Sequence, residues 1–583
     1  MRSEGWDAVI ITGSDPHGSE YPAQRWKQVQ YLTGFSGEAG DVVVTADHAG
    51  LWTDTRYFIQ ALSQLEGTTV QLHKTRVSDQ VLIPQWLSEY FKDADSAVIA
   101  VDGLAVSATF IYDELEQALD DARVEHCIAS CPDLLQRLWT DRPPIPQTPI
   151  YIADAGESRE DKIAWLRGYL EDNGQDAILL SALDEIAWVL NLRASDIEFN
   201  PYIISYLYVS TTEVRWFVLK DKVEDPQSEE VFSSLSDVRL DSYFEVENFL
   251  RNAGHLRLLV DSATINYDLY RNLSMSPLRL ADAASPVRLR KAVKNGFEVE
   301  QMRRAHLLDG VAMERFLYWL EKSLDADRVV SEWDASVKLG QYRAQMEGYL
   351  GDSFETISAY GPGAALPHYV TPKTGAPLLK PEGLYLCDSG GHYCCGTTDI
   401  TRTIPLGPVT DLEAEDYTLV LKGHIDLAKA VFPAGTPGCR IDALARAPLW
   451  SRRRNFGHGT GHGVGFVSGV HEGPQELRQN LNPQPILPGM IISDEPGIYR
   501  EALFGVRHEN LLLCVEAEES EFGRWLQFEP LTLCHFDTSI IKRELLDTEE
   551  LKWLDAYNKR VYEALSPLLE PDIAAWLRKK TSV

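Results

Sequence analysis

The chain has 583 residues, which exceeds the size of one hydrophobic core and predicts three or four domains. Its 55 Lys and Arg residues against 87 Asp and Glu residues give a formal net charge of −32 at neutral pH. Phosphate backbones and anionic membranes repel so acidic a surface, which argues against nucleic acids and lipids as partners.

The N-terminus and the cysteines indicate a cytoplasmic protein. The first residues lead directly into the apolar run Ala8 to Ile11, without the basic region and apolar core of a secretory signal. No window approaches the roughly 18 apolar residues of a transmembrane helix. The eight cysteines show neither a CxxC pair nor a zinc-binding spacing, so we expect reduced thiols in a soluble protein.

The N-terminal half contains an internal repeat. The segment WDAVIITGSD at 6–15 corresponds to QDAILLSALD at 175–184, and VVVTADHAGLWTD at 42–54 corresponds to YVSTTEVRWFV at 208–218. Each copy reads as a strand, a loop, a helix and then a hairpin. The repeat predicts two related α/β domains.

Two proline-containing segments mark the expected domain boundaries. RPPIPQTP at 142–149 cannot continue a helix and predicts a linker. The second boundary is expected near Ser285 and Pro286, just before an amphipathic helical stretch that runs from Met302 to Trp319. The predicted domains are 1–146, 147–286 and 287–583.

Two aspartates stand at the ends of β-prone runs in the C-terminal half. Leu384 to Cys387 reads as a buried strand that ends at Asp388, and a second β-prone run surrounds Asp399. If the chain turns near residues 393 and 394, the two aspartates lie opposite each other, about 5 Å apart at Cα. Such a pair needs a positive charge between its members; two solvated turn aspartates are the alternative.

Further acidic and histidine residues follow. GHGTGHGVG at 457–465 carries two histidines, SDEPGIY at 493–499 carries a glutamate before a turn, and GVRHENLLLCV at 505–515 carries another at the head of a strand. Four carboxylates and one imidazole, without a thiolate, suit Mn²⁺ or another hard divalent ion. Four negative charges balance two divalent cations, which predicts a pair of metal ions bridged by carboxylates and a hydroxide. The predicted ligands are Asp388, Asp399, His462, Glu495 and Glu509.

Seven motifs in the C-terminal half resemble those of a known family. They are DSG at 388–390, TTDITRT at 397–403, GHGTGHGVG at 457–465, DEPGIY at 494–499, VRHEN at 506–510, HEGP at 471–474 and ALPHY at 365–369. The chain resembles the long, three-domain cytosolic Xaa-Pro aminopeptidases (aminopeptidase P) of the pita-bread metallopeptidases. The resemblance extends to SEYPAQRW at 19–26, LDEIAWVLNLRASDIEFNP at 183–201 and FEPLTLCHFDTSII at 528–541, so it covers nearly the whole chain.

The resemblance implies a fold of mixed class, α/β and α+β. Two related creatinase-like N-terminal α/β domains are followed by a C-terminal pita-bread catalytic domain that carries a C-terminal extension. The family also implies a homodimer formed through the catalytic domain, and N-terminal domains that limit access to short peptides.

The resemblance also assigns roles to residues outside the ligand set. It implies proton-handling, catalytic roles for His368, His458 and His471, with His471 as the donor to the oxyanion. It places His368, His471, Tyr499 and Arg507 at the substrate. Each histidine taken singly could equally be a satisfied core residue.

The function implied is hydrolysis of the bond between an N-terminal residue and a following proline by a hydroxide that bridges two metal ions. The expected substrates are short peptides with proline in second position. A prolidase that cleaves only Xaa-Pro dipeptides is the nearest alternative. A methionine aminopeptidase has a similar core but lacks two leading domains, and a non-catalytic pita-bread binding protein would have lost metal ligands, all five of which are present here.

Overall fold

The structure, a computed structural model, describes residues 1–582. The chain divides into two compact units, 1–288 and 289–583. The first unit contains two separate six-stranded sheets. Among residues 289–582, the second unit contains one six-stranded sheet, two three-stranded sheets and one two-stranded sheet. The finer boundaries after residues 146 and 286 stay predictions.

The first sheet uses the first six strands of the chain. They are β1 Ala8–Ile11, β2 Asp41–Val44, β3 Ala49–Thr53, β4 Gln71–Lys74, β5 Ala97–Val101 and β6 His126–Ser130. Their order in the sheet is β4-β3-β2-β1-β5-β6. The helices between them are α1 Gln28–Thr33, α2 Phe58–Gln64, α3 Ile83–Tyr90 and α4 Gln117–Asp121.

The second sheet lies further along the first unit. Its region contains β7 Tyr151–Ile152, β8 Ala177–Leu180, β9 Leu192–Arg193, β10 Ser205–Ser210, β11 Val214–Val218, β12 Arg239–Ser242, β13 Arg257–Val260 and β14 Arg279–Asp282. The helices are α5 Arg159–Asp172, α6 Leu183–Leu190, α7 Lys220–Val223, α8 Glu229–Ser233, α9 Val246–Arg251 and α10 Tyr267–Ser274. The sheet order is β12-β11-β10-β8-β13-β14, and β7 pairs with β9.

The two sheets have the same topology, which confirms the predicted repeat. In each, the first strand pairs antiparallel with a hairpin on one side and parallel with a later strand on the other. The strands β1 and β8 are buried along their whole length. Such continuous apolar runs are expected for strands that are covered on both faces.

The second unit contains the longest helix and fourteen of the strands among residues 1–582. The helices are α11 Pro286–Ala292, which crosses the division between the units, α12 Gly296–Asp325, α13 Glu332–Arg343, α14 Asp411–Ala428, α15 Asp442–Ser451, α16 Thr548–Leu565 and α17 Pro571–Lys580. The strands are β15 Tyr349–Asp352, β16 Ile357–Tyr360, β17 Leu384–Ser389, β18 Gly391–Tyr393, β19 Gly396–Thr397, β20 Ile400–Pro405, β21 Val431–Pro433, β22 Gly461–Gly463, β23 Glu472–Leu477, β24 Ile491–Asp494, β25 Gly497–Arg500, β26 Phe504–Arg507, β27 Asn510–Glu516 and β28 Trp525–Pro530.

Two sheets of this unit carry the predicted metal ligands in or next to their strands. One has the order β16-β17-β20 and the other the order β21-β28-β27-β24-β22-β23. The helix α12 begins at a capping box, in which Asn295 and Glu298 each accept a hydrogen bond from the other's backbone N–H. Along its apolar stripe Met302, Ala312 and Phe316 are fully buried in the core, and Leu308 is half-buried. Among residues 1–582, none of the helices has the length and apolar character needed to cross a bilayer.

A buried ion pair between α7 and the segment after β9 contacts the predicted linker. Lys222 Nζ donates to Asp196 Oδ1 at 2.6 Å, and both side chains are completely buried. Asp196 also accepts from the backbone N–H groups of Thr148 and Ile204. Since the carboxylate satisfies four donors, counting the Thr148 hydroxyl, its removal would leave an unpaired buried ammonium.

Replacing Asp196 by Asn should therefore destabilise the first unit by about 3 kcal/mol. The expected readout is a lower midpoint for the thermal unfolding transition of this unit, followed by calorimetry. Asp172→Asn, at an exposed position at the end of α5, is the matched control and should leave the midpoint unchanged. Equal midpoints for the two variants would contradict the stabilising role of the pair.

Candidate metal centre

Five side chains meet where strands of the two sheets end. Asp388 stands near the end of β17, Asp399 immediately precedes β20, and His462 is the middle residue of β22. Glu495 directly follows β24, and Glu509 directly precedes β27. All five predicted ligands therefore come from one unit, and four of them stand at or next to a strand end.

The register of the central hairpin differs from the expectation. Asp388 pairs with Thr401, and Tyr393 pairs with Gly396, so the turn consists of Cys394 and Cys395. The prediction that Asp388 lies directly opposite Asp399 is wrong by two residues. Tyr393 belongs to the strand because its ring is buried and its hydroxyl donates to Asp309 at 2.8 Å. Asp399 consequently lies diagonal to Asp388.

His462 lies among the carboxylates. Its Nε2 is 3.4 Å from Asp399 Oδ2 and 3.6 Å from Glu495 Oε1. One ligand atom from each of Asp399, His462 and Glu509 lies within 4.8 Å of the others. The second ring nitrogen, Nδ1, is 3.0 Å from the Gly463 carbonyl oxygen, which can only accept, so Nδ1 carries the proton. The other ring nitrogen, Nε2, faces the carboxylates, which is the orientation of a metal-ligating histidine.

The carboxylates are crowded enough to perturb one another. Burial raises the pKa of Asp399 to about 6, although His471 and Arg507 oppose the shift. Burial also raises the pKa of Glu495 to about 7 against the charges of His462 and Arg507. The pKa values of Asp388 and Glu509 are raised by burial as well, and in both cases the charge of Asp399 adds to the shift. Without cations, this arrangement resists full ionisation.

The donor set fits a pair of divalent cations. Asp388 Oδ1 is buried and has no hydrogen-bond partner among the described residues, which is costly for a carboxylate unless a cation lies beside it. Four carboxylates and one imidazole without a thiolate are the ligands that hard divalent ions prefer. Two such ions would neutralise the four negative charges.

Arg507 and Thr401 hold two of the carboxylates. Arg507 Nη2 donates to Asp388 Oδ2 at 2.5 Å, and its Nε donates to Thr401 Oγ1 at 3.2 Å. The Thr401 hydroxyl in turn donates to Glu509 Oε2 at 2.7 Å. Arg507 and Glu509 lie on either side of a break between two strands, because β26 ends at Arg507 and β27 begins after Glu509.

His458, Tyr499 and Arg507 form a directed chain of hydrogen bonds. His458 Nδ1 is 2.7 Å from the Gly459 carbonyl oxygen, so Nδ1 is the donor and Nε2 accepts from the Tyr499 hydroxyl at 2.7 Å. Arg507 Nη1 donates to the same hydroxyl oxygen at 2.6 Å. Burial and the nearby Arg507 lower the pKa of His458 to about 3, so its ring is neutral.

The remaining two predicted histidines are connected to this centre in different ways, one by a ring contact and the other through its neighbour in the chain. The ring of His471 stands nearly perpendicular to that of His462, with centroids 4.2 Å apart. His368 is half-buried and follows Pro367, whose carbonyl oxygen accepts from Arg507 Nη2 at 3.3 Å. All ten predicted site residues, the five ligands and the five residues outside the ligand set, thus lie in the second unit.

Arg402 was missed by the sequence reasoning. Its buried guanidinium donates to the Glu509 carbonyl oxygen at 2.6 Å, to Asn510 Oδ1 at 2.8 Å and to the Cys534 carbonyl oxygen at 2.7 Å. It thereby fixes the backbone of Glu509 against the C-terminal segment. The TTDITRT motif contains the available signal, since a charged residue inside a β-prone run usually has a specific buried partner.

Known relatives match this chain over its full length. A probable Xaa-Pro aminopeptidase P from Laccaria bicolor is 36% identical over 603 residues, which cover 100% of this chain and 92% of the relative. Xaa-Pro aminopeptidase 2 from Sus scrofa is 36% identical over 602 residues, with 100% and 87% coverage. The chain belongs to the Xaa-Pro aminopeptidase P family.

Matches to family models along the chain agree with this membership. The description "Metallopeptidase family M24" matches residues 300–516 and its C-terminal region matches 524–583. "Creatinase/Prolidase N-terminal domain" matches twice, at 1–131 and 141–298. The predicted fold class, two creatinase-like domains followed by a pita-bread domain, is confirmed.

Two solved structures show how far the likeness extends. X-prolyl aminopeptidase from Caenorhabditis elegans, described as a cytosolic enzyme with a di-nuclear active site, superposes with a TM-score of 0.93 at 34% identity. The match covers 99% of this chain and 95% of that chain. Xaa-Pro dipeptidase from Bacillus anthracis has a TM-score of 0.52 at 24% identity and covers 64% of this chain and 98% of its own, which shows the fold alone.

Removing the charge of Asp399 should reveal the repulsion between the carboxylates as a change in protein stability. At pH 8, metal-free Asp399→Asn protein should be more stable than metal-free wild type by about 1 kcal/mol, because one of four crowded negative charges is gone. Added Mn²⁺ should raise the unfolding temperature of the wild type by more than that of the variant. Thermal unfolding with and without metal measures both effects.

Asp555→Asn, at an exposed position on α16, is the control, because it removes one negative charge far from the crowded carboxylates in sequence. It should behave as wild type in both conditions. If Asp399→Asn gains as much stability from Mn²⁺ as the wild type does, the crowding of carboxylates has no connection with metal binding.

Proposed function

We propose that this protein is a metal-dependent aminopeptidase that hydrolyses the bond between an N-terminal residue and a following proline. The observation that carries the proposal is the convergence of Asp388, Asp399, His462, Glu495 and Glu509 at one centre, in a chain that matches aminopeptidases P over its full length. The C. elegans relative, with its di-nuclear active site, supports the same chemistry.

The five converging residues would hold two divalent cations, and we propose Mn²⁺ as the ion used. Mn²⁺ accepts carboxylate oxygens with one imidazole nitrogen, and it does not demand thiolates. When bound, two such cations supply a water of lowered pKa as the nucleophile and polarise the scissile carbonyl group. No Ser or Cys nucleophile is then required.

The surrounding residues of the chain would orient the substrate and the ligands. Arg507 fixes Asp388 directly and Glu509 through Thr401, so a single guanidinium holds carboxylates from two different sheets. The hydroxyl proton of Tyr499 is committed to the neutral ring of His458. We therefore assign His458 and Tyr499 to the shaping of the site around the substrate.

His471 is proposed as the donor that stabilises the tetrahedral oxyanion. Its ring packs against His462 at 4.2 Å, so it lies at the edge of the ligand set, where the polarised carbonyl oxygen would be. His368 is proposed to contact the substrate near the departing nitrogen. This assignment is supported by the hydrogen bond from Arg507 Nη2 to the carbonyl oxygen of its neighbour Pro367.

Specificity for proline follows from the chemistry of the bond. An Xaa-Pro bond is a tertiary amide without an N–H group, and its ring requires an apolar wall. A site that accepts it must not present a buried acceptor to the missing hydrogen, since an unpaired polar group would cost binding energy. Short peptides with proline in second position are the proposed substrates.

We also propose a homodimer and a cytoplasmic location. The dimer rests on the family resemblance, and a monomeric mass in small-angle scattering would contradict it. The location rests on the description of the C. elegans relative as cytosolic. Fractionation that places the protein outside the cytosol would contradict this second proposal.

The decisive experiment measures release of the N-terminal residue from Arg-Pro-Pro by chelator-treated protein. We expect no release without metal, release after addition of Mn²⁺, and loss of release when the second residue is Ala. Arg-Pro should be cleaved far more slowly than Arg-Pro-Pro. Efficient cleavage of the dipeptide alone would favour the prolidase alternative.

Co²⁺ and Zn²⁺ serve as the comparison ions in the same assay. The protein must remain folded throughout, which circular dichroism monitors. If no metal restores cleavage of any proline peptide by folded protein, the enzymatic proposal falls and a peptide-binding role takes its place.

A further inference from the structure

Glu472 forms a buried ionic cluster immediately beside the candidate metal centre. Its Oε2 lies 2.8 Å from Lys291 Nζ, and its Oε1 accepts from Lys294 Nζ. The side chains of both lysines are at most 1% exposed and that of Glu472 is 4% exposed. We call this set of Lys291, Glu472 and Lys294 the lysine clamp.

Both lysines come from the segment that leads into α12. Lys291 lies in α11, and Lys294 lies between α11 and α12. The segment is anchored to the large sheet, because Lys294 N–H donates to the Gly489 carbonyl oxygen at 3.0 Å and Val293 forms a β-bridge with Met490. The ammonium groups therefore have fixed positions.

The clamp keeps Glu472 ionised in a dry environment. Burial by itself would raise the pKa of Glu472, but the charges of Lys291 and Lys294 outweigh it, so the pKa is lowered. One lysine would be enough to neutralise the carboxylate. The second binds the other oxygen, which prevents rotation about the last torsion of the side chain, and it leaves one net positive charge near the four carboxylates.

Glu472 is connected to the centre on both sides. It directly follows His471, and in the pairing of β22 with β23 it stands opposite Gly463, the residue after His462. Gly463 permits this close approach, because a Cβ there would lie 2.1 Å from the Glu472 carbonyl oxygen. The backbone position of Glu472 thus sets the distance between the two histidine-bearing segments.

The segment before His471 is held separately. Thr397 Oγ1 donates to the Ser468 carbonyl oxygen at 3.0 Å, from the hairpin that also carries Asp399. Val467 in this segment has a φ of 44°, a backbone conformation that is unusual and strained for a β-branched residue. A strained loop keeps its shape only if both of its ends are fixed, and Glu472 lies at one end.

We propose that Glu472, fixed by Lys291 and Lys294, is a positioning residue that holds His471 against His462 at the candidate metal centre. The inference rests on the proposed function. It assigns the lysine pair of the α11–α12 segment a role in catalysis through Glu472, although neither lysine belongs to the ligand set.

The test compares Glu472→Gln with Glu472→Asp and with the double variant Glu472→Gln/Lys294→Met, in which the net charge of the cluster is the same as in the wild type. Misplacement of a catalytic group by about 1 Å can cost about 100-fold in rate. We therefore expect kcat of Glu472→Gln and of the double variant to fall by about 10- to 100-fold. KM and the metal content should stay close to those of the wild type, and Glu472→Asp should recover part of kcat.

Asp196→Asn is the matched control, because it removes another buried carboxylate from a lysine, in the first unit. It should lower thermal stability without changing kcat of the folded protein. A kcat of folded Glu472→Gln within about twofold of the wild type would overturn the positioning role. If Glu472→Gln does not fold, Lys291→Met, which keeps the pair of Glu472 with Lys294, decides by the same criterion.

Hydrogen exchange separates this proposal from the proposed function. In Glu472→Gln, or in Lys291→Met, amides of residues 464–474 should exchange faster than in the wild type, whereas Asp196→Asn should leave them unchanged. If the wild type has no aminopeptidase activity, this exchange alone decides. Unchanged exchange at 464–474 would then overturn the clamp.

Discussion

Four carboxylates crowded around one imidazole form the constraint on which the C-terminal unit depends. Burial raises the pKa of each carboxylate, and repulsion by neighbouring carboxylates adds to the shift for Asp388, Glu495 and Glu509. Asp388 Oδ1 has no hydrogen-bond partner among the described residues. Such a cluster is unstable by itself and needs cations. The surrounding fold therefore has to hold like charges together at fixed positions until the cations bind.

Buried arginine side chains and hydroxyl groups hold the carboxylates in place through hydrogen bonds between sheets. Arg507 holds Asp388 and, through Thr401, Glu509. Arg402 fixes the backbone of Glu509 and also donates to the hydroxyl oxygen of Tyr557 in α16, so the C-terminal segment supports the centre. The whole-length match to aminopeptidases P is consistent with this dependence of the site on distant parts of the chain.

Residue chemistry and local pattern predicted the five ligands of the candidate site, and the family resemblance supplied its other predicted members. Neither predicted the register of the hairpin. The five predicted ligands, Arg507 and the predicted histidines all stand in motifs that can be read directly from the sequence. The hairpin was misplaced because the pattern does not reveal that Tyr393 is buried on Asp309 and so extends the strand. His508, which lies between Arg507 and Glu509 in the VRHEN motif, packs with its ring between Tyr417 and Phe536.

Contacts between residues far apart in sequence could not be predicted in this way. Lys294 and Glu472 are 178 positions apart, and the local sequence around neither residue indicates that the two form an ion pair. Only the pairing of β22 with β23 and the course of the α11–α12 segment bring them together. The identical topology of the two N-terminal sheets, by contrast, was predictable because the repeat is visible in the sequence.

The measurement that tests the central claim most directly is anomalous X-ray diffraction at the manganese edge from crystals of the Mn²⁺-loaded protein. The account predicts two anomalous peaks about 3.5–4 Å apart. Each peak should lie within ligand distance of members of the set Asp388, Asp399, His462, Glu495 and Glu509. A single peak, or peaks remote from these five residues, would contradict it.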